Sequence, residues 1–212
     1  MKRTPSLLIA ALVLTLSHAS ASPFFSISPS LNKARVSGQQ TDVGFGVNFR
    51  TGYEFLNSSW LLNGHAIEFE TGVNGYKFDS GDQANIRDIS TMAIPLLLNY
   101  RYTQYWGASR SNSNGMEYWS PDFLLYGGAG VGGVILSAEE TAANNQKLEI
   151  SELTPAFQFF FGTGVGFNDN VSLTGGYRHL WMGDIETEGT FTPRRAYKTS
   201  MHIFDLNLRF LW

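Results

Sequence analysis

Residues 202–212 read His-Ile-Phe-Asp-Leu-Asn-Leu-Arg-Phe-Leu-Trp. Every second residue, from Phe204 through Leu206, Leu208 and Phe210 to Trp212, is large and apolar. Between them lie Ile203, Asp205, Asn207, Arg209 and Leu211, so the opposite face carries an acid, an amide and a base in a row. A period of two is the signature of a β-strand whose faces meet different environments. The strand runs to the final residue and ends on an aromatic. Terminal residues in water usually fray, so a strand built this way is expected to hold its apolar face against lipid.

The same alternation recurs upstream over 43–55, 67–74, 92–102, 125–135, 155–167 and 171–181. A weaker copy spans Phe24–Val36, where Pro29 interrupts the apolar face and Lys33 and Arg35 fall on it. The count predicts eight strands of roughly 10–14 residues, longer than soluble strands and suited to a tilted membrane crossing. Asn168-Asp169-Asn170 marks a tight turn. Ser37–Asp42, Asp79–Asp88, Ser137–Glu152 and Gly183–Ser200 read as polar connections facing outward from the cell. The Ser/Asn-rich stretch from Trp106 to Pro121 is long for a turn on the opposite side, and its side of the membrane stays open.

At the other end, Met1-Lys2-Arg3 precedes an apolar run over Leu7–Leu16 and a small-residue site at Ala19-Ser20-Ala21. These are the parts of a secretory signal peptide, which predicts a leader over residues 1–21 and a mature domain over 22–212. The full chain has 15 Lys and Arg against 18 Asp and Glu; losing Lys2 and Arg3 leaves 13 bases and a net charge of −5. That argues against nucleic acid as a partner. With no cysteine, disulfides and thiolate metal sites are ruled out. Charged residues are only 16% and glycines number 22, yet the apolar residues alternate rather than cluster.

The polar face decides which side is inside. It carries dense glycine interleaved with Arg50, Glu54, Glu68, Glu70, Arg101, Arg178, Asp205 and Arg209. A solvated face would favour Thr, Lys and Glu, because glycine weakens a strand. Small residues beside long charged ones suit a narrow lumen in which each charge needs a partner. The Phe/Leu/Val face is almost free of charge, as a lipid-facing band requires. Tyr100, Tyr102, Tyr177, Trp181 and Trp212 fall near strand ends, where an aromatic girdle belongs. The expected fold is an all-β, eight-stranded antiparallel up-and-down transmembrane barrel.

Four stretches carry a family likeness: Met92-Ala93-Ile94-Pro95-Leu96-Leu97-Leu98-Asn99-Tyr100, Gly127-Gly128-Ala129-Gly130-Val131-Gly132, Thr174-Gly175-Gly176-Tyr177-Arg178, and the strand ending in Trp212. With the signal peptide, the chain resembles the small eight-stranded outer-membrane barrels of the OmpA/OmpX and opacity-protein type. The resemblance implies the outer membrane of a Gram-negative-type envelope. It also implies insertion by the barrel-assembly machinery, which would read Phe204, Leu206, Leu208, Phe210 and Trp212 as an assembly signal. It implies no single activity, since relatives serve as adhesins, serum-resistance factors, wall anchors or narrow pores. No peptidoglycan-binding domain follows the barrel, so wall anchoring is not expected.

Other motifs have plainer explanations. Gly128-Ala129-Gly130-Val131-Gly132-Gly133 contains a formal GxGxxG, but its glycines keep a strand period and no helix follows, so no dinucleotide site is expected. His65, His179 and His202 lie on different strands and would bind a metal only if the fold gathered them. A lipid A deacylase of the PagL type would need His-x-Ser-Asn; the nearest stretch, His179-Leu180-Trp181-Met182 with Glu186 downstream, has Trp181 where the serine belongs. Asp79, Asp82 and Asp88 miss the EF-hand spacing. No catalytic, cofactor or metal site is therefore expected.

Two readings of the lumen charges remain: a salt-bridged plug, which an eight-stranded interior favours, or a narrow porin-like channel. The expected function is a structural or surface-interaction role carried by extracellular loops, with the channel and a lipid A-modifying enzyme as alternatives. Arg194, Arg195 and Lys198 in the last loop are candidates for contacting lipopolysaccharide phosphates. Outer-membrane lipids and lipopolysaccharide are the expected partners, with any extracellular ligand unidentified.

Overall fold

The computed structural model describes residues 20–36, 39–57, 63–79, 86–107, 109–113, 116–120, 123–142, 147–168, 170–187 and 195–212. They form ten strands: β1 (Ser20–Val36), β2 (Gln39–Asn57), β3 (Asn63–Asp79), β4 (Ile86–Trp106), β5 (Ser109–Ser113), β6 (Met116–Ser120), β7 (Phe123–Ala142), β8 (Lys147–Asn168), β9 (Val171–Thr187) and β10 (Arg195–Leu211). Eight of them close a barrel in the order β1-β10-β9-β8-β7-β4-β3-β2, with every pairing antiparallel. Closure leaves no unpaired edge, the condition a sheet must meet to cross hydrocarbon.

The alternation read from the sequence places the faces as expected. Phe45, Leu98, Phe161, Phe204 and Leu206 are exposed on the outer wall, whereas Arg50, Arg101, Arg178 and Arg209 are buried within. Burying the lipid-facing set in a dry centre would have turned every strand over, because a one-residue slip moves all side chains to the other face.

Chain direction puts both termini, the 57–63 connection, the 106–123 connection and the Asn168–Asn170 turn at one end of the barrel. We call this the terminal end and the other the loop end. The Asn168 side chain organises its turn: its Oδ1 accepts from the backbone N–H groups of Asn170 (2.9 Å) and Val171 (2.8 Å). The end of β10 is tied on both sides there: Leu211 N–H donates to Asn170 O beside β9 at 2.7 Å, and Trp212 N–H to Pro23 O of β1 at 3.2 Å.

Two expectations need correcting. The barrel strands are 17–22 residues long rather than 10–14. They continue into all four stretches read as polar loops; β7 and β8, for example, pair out to Thr141 and Lys147. Polarity there does not end a strand, since neighbouring strands still satisfy its backbone above the apolar band. The 106–121 connection is also not a plain loop. It holds the separate hairpin β5–β6, paired from Ser109↔Ser120 to Ser113↔Met116, at the terminal end. Gly107 lies outside the hairpin with φ of 70°, a left-handed value that suits glycine.

The expected leader falls outside the described residues except for Ser20 and Ala21, which open β1.

Candidate functional site

Inward-pointing residues of the eight barrel strands meet in the lumen, which is stacked in three tiers. The middle tier centres on Glu70 of β3. Arg50 Nε lies 3.2 Å from Glu70 Oε2, and Arg178 of β9 pairs with Oε1. Asn99 and Gln158 each donate to Oε2 at 2.9 Å, and Gln158 also donates to Asn99 Oδ1 at 2.8 Å. Asp205 of β10 closes the circuit with Arg50 at 2.8 Å and Arg178 at 2.9 Å. Six strands are thereby stitched together through two carboxylates. Beside this knot, the Asn48 and Asn74 amides bond each other, Asn74 Nδ2 donating to Asn48 Oδ1 at 3.0 Å.

Below it, toward the terminal end, Glu54 collects Arg209 at 3.2 Å, Arg101 at 4.0 Å and a hydrogen bond from Tyr105 OH at 2.7 Å. Arg101 Nε lies 3.2 Å from Glu68. The guanidinium of Arg209 sits over the Phe24 ring at 3.7 Å, and Arg101 faces Phe24 and Tyr126 at 5.6 Å each. Planar guanidinium against an aromatic face is a favourable way to desolvate a cation.

Every one of the eight charges picked out in the sequence points inward and is at most 7% exposed. Four guanidiniums meet four carboxylates, so the network is neutral as a whole. The neutral members Asn99, Gln158, Asn48, Asn74, Tyr105, Tyr126 and Phe24 were missed as participants. Asn48, Asn74, Asn99 and Tyr105 share strand parity with charged lumen residues, and Tyr126 and Gln158 share it with the alternating glycines of their strands, which was the signal available.

The loop-end tier is a surprise of composition. Leu97, Val134, Leu136, Leu180, Met182, Met201 and Ile203 are buried there with Ala34, Ala93, Ala156 and Tyr76 as one apolar cluster. An apolar core does exist, inside the barrel. Sequence alternation concealed it because both faces of these strand segments are apolar, as in Met201-His202-Ile203-Phe204.

Glycine makes room for the long side chains. A Cβ on Gly130 would collide with Asn99 Oδ1, one on Gly176 with Tyr126 Oη, and one on Gly128 would come within 2.5 Å of the Phe160 ring. The GxGxxG run is thus a wall against which lumen side chains lie.

Elsewhere, Phe204, Leu206, Phe210 and Trp212 of the terminal strand are exposed on the outer wall and Leu208 is half-buried. Arg194 lies outside the described residues. Arg195 and Lys198 belong to β10 and not to a loop, a correction that follows from the longer strands; Arg195 pairs with Thr187. Asp79 pairs with Asp88 across β3 and β4, while Asp82 lies outside the described residues. Among the described residues no three His, Asp, Glu or Cys side chains converge as a metal set. His65 bonds Tyr100 OH at 2.6 Å, and His179 and His202 are register partners on the outer wall.

The sequence matches the family model described as outer membrane protein beta-barrel domain over residues 6–210. Among solved structures, Neisserial surface protein A is similar at 16% identity, covering 90% of this chain and 98% of that one with a TM-score of 0.51. Ail, the attachment invasion locus protein of Yersinia pestis, solved with the heparin analogue sucrose octasulfate, is similar at 13% identity, covering 90% and 99% with a TM-score of 0.51. At these identities the likeness is one of fold. No curated protein sequence matches the chain.

Proposed function

Because the chain belongs to the outer membrane protein beta-barrel domain family, we propose that it is a sealed outer-membrane barrel acting as a structural and surface-contact element. In this reading it is neither a pore nor an enzyme. One observation carries the proposal: Glu70 binds residues from four other barrel strands across the lumen. An ion crossing here would have to break that knot and then pass the apolar tier above it, which disfavours water and ions. The strands at the loop end extend toward the exterior as paired ribbons and supply the contact surface. Arg194, Arg195 and Lys198 offer cations to lipopolysaccharide phosphates. The names of Neisserial surface protein A and of the attachment protein Ail agree with surface contact. In this account a leader over residues 1–21 is cleaved after Ala21, and the barrel-assembly machinery inserts the mature chain through its C-terminal strand.

The test is conductance in planar lipid bilayers. A sealed barrel gives no single-channel steps with the native sequence. Reproducible ion-selective steps that change selectivity in Arg178→Ala would replace this reading with the channel. Unchanged lipid A in cells expressing the protein is expected; deacylated lipid A that disappears with His179→Ala would instead establish an enzyme. An intact mass starting at Ser22 checks the cleavage.

A further inference from the structure

On the outer wall, His179 of β9 and His202 of β10 are direct cross-strand partners. Their Nδ1 atoms are 3.1 Å apart and their rings cross at 66° with centroids 4.4 Å apart. Tyr177 OH lies 2.7 Å from His202 Nδ1 and 3.4 Å from His179 Nδ1. Three donor atoms therefore form a small triangle, backed by Trp181 at 4.1 Å and Phe159 at 5.9 Å from the His179 ring. We propose that this triangle is a binding site for a divalent first-row transition-metal ion of the imidazole-preferring class, copper, nickel or zinc.

The geometry suits such an ion. With metal–nitrogen bonds of about 2.0–2.1 Å, two donors on neighbouring tetrahedral vertices lie about 3.3 Å apart. The edges of the triangle bracket that value. Both imidazoles bind as neutral Nε2–H tautomers with their Nδ1 lone pairs on the metal, and the phenol oxygen is the third ligand. Imidazole affinity runs toward copper in the divalent series.

Height in the membrane allows the remaining coordination. A tilted strand climbs about 2.5 Å per residue along the barrel axis. His202 is ten residues from Trp212, which puts it about 25 Å away, the full height of an apolar band. The triangle thus sits at the loop-end boundary, where water or lipid phosphate oxygens complete the shell. Exposed Lys33, partner of His202 on β1, is a cation that would repel the bound ion, but its stem is long enough to carry the ammonium up to the head groups. His65, bonded to Tyr100 near the terminal end, has no second imidazole beside it among the described residues and serves as the control.

The experiment uses untagged mature protein folded in detergent micelles, titrated with Cu²⁺ and read by electron paramagnetic resonance and calorimetry. A one-to-one site with hyperfine coupling to two imidazole nitrogens is expected, with Zn²⁺ competing for it. His179→Ala and His202→Ala should each weaken binding at least about tenfold and leave a one-nitrogen signal, while His65→Ala changes nothing. The heat-modifiable gel mobility of a folded barrel, checked for each variant and for His179→Gln, separates lost binding from lost folding. A one-nitrogen spectrum in the native chain, or affinity that survives His179→Ala or falls with His65→Ala, would overturn the proposal.

Discussion

Replacing Glu70 by alanine removes the carboxylate on which Arg50, Arg178, Asn99 and Gln158 converge. Two guanidiniums are left to share Asp205 alone, and the lumen gains a net positive charge. Removing one partner of a buried pair costs about 3–5 kcal/mol. The amides lose an acceptor as well, which costs about 1–3 kcal/mol for a buried donor left unsatisfied. Gln158 still reaches Asn99 Oδ1 at 2.8 Å, so only one donor is orphaned. Water entering the vacated space offsets part of this, and the expected loss is about 4 kcal/mol. With a urea dependence of about 2 kcal/mol/M, the unfolding midpoint in lipid vesicles, followed by tryptophan fluorescence, should fall by about 2 M. The paired change Glu70→Gln with Arg178→Met restores neutrality around Arg50 and Asp205. It should be more stable than the sum of the single losses by about 1–3 kcal/mol. A loss below about 1 kcal/mol for Glu70→Ala, or strict additivity in the pair, would refute the idea that the knot acts as a unit.

Three further outcomes follow from the same geometry. Leu206, exposed on the wall about 15 Å above Trp212, lies close to the midplane, so Leu206→Arg should cost about 2–4 kcal/mol in vesicle unfolding whereas Val43→Arg near the loop-end boundary should cost about 0–1. Leu180, fully buried in the loop-end tier, should lose about 2–5 kcal/mol as Leu180→Ala, measured by the same urea titration; a neutral result would mean that tier is wet. Gly176→Val drives a side chain into Tyr126 and toward Asp205 Oδ1 at 3.0 Å, and should cost about 1–3 kcal/mol; Gly175→Val, with open space around it, should fold as the native chain does.

Much of the barrel was legible because lipid and lumen impose opposite demands on alternate residues. Phe204, Leu206 and Phe210 against Asp205, Asn207 and Arg209 give both the element and its orientation. The same logic failed where both sides of the wall are apolar. Parity with Asp205 puts Ile203 on the lumen face opposite Phe204, but an apolar residue there gives no sign that this end of the lumen holds a packed core in place of charges. Strand ends were also misjudged, because polar composition was read as loop. The pairing of Thr141 with Lys147 depends on the partner strand and not on either residue.

Alternation along the chain is enough to specify a lipid-facing β-cylinder with charges inside, since a period of two is a property of each strand alone. Which charge meets which was decided only by closure. Glu70 lies 108 positions from Arg178, and Arg50 lies 155 from Asp205. The join of β1 to β10 and the tilt of the wall bring them onto one level. The pairing of His179 with His202, 23 positions apart on neighbouring strands, likewise follows from the β9–β10 register, which no single strand encodes.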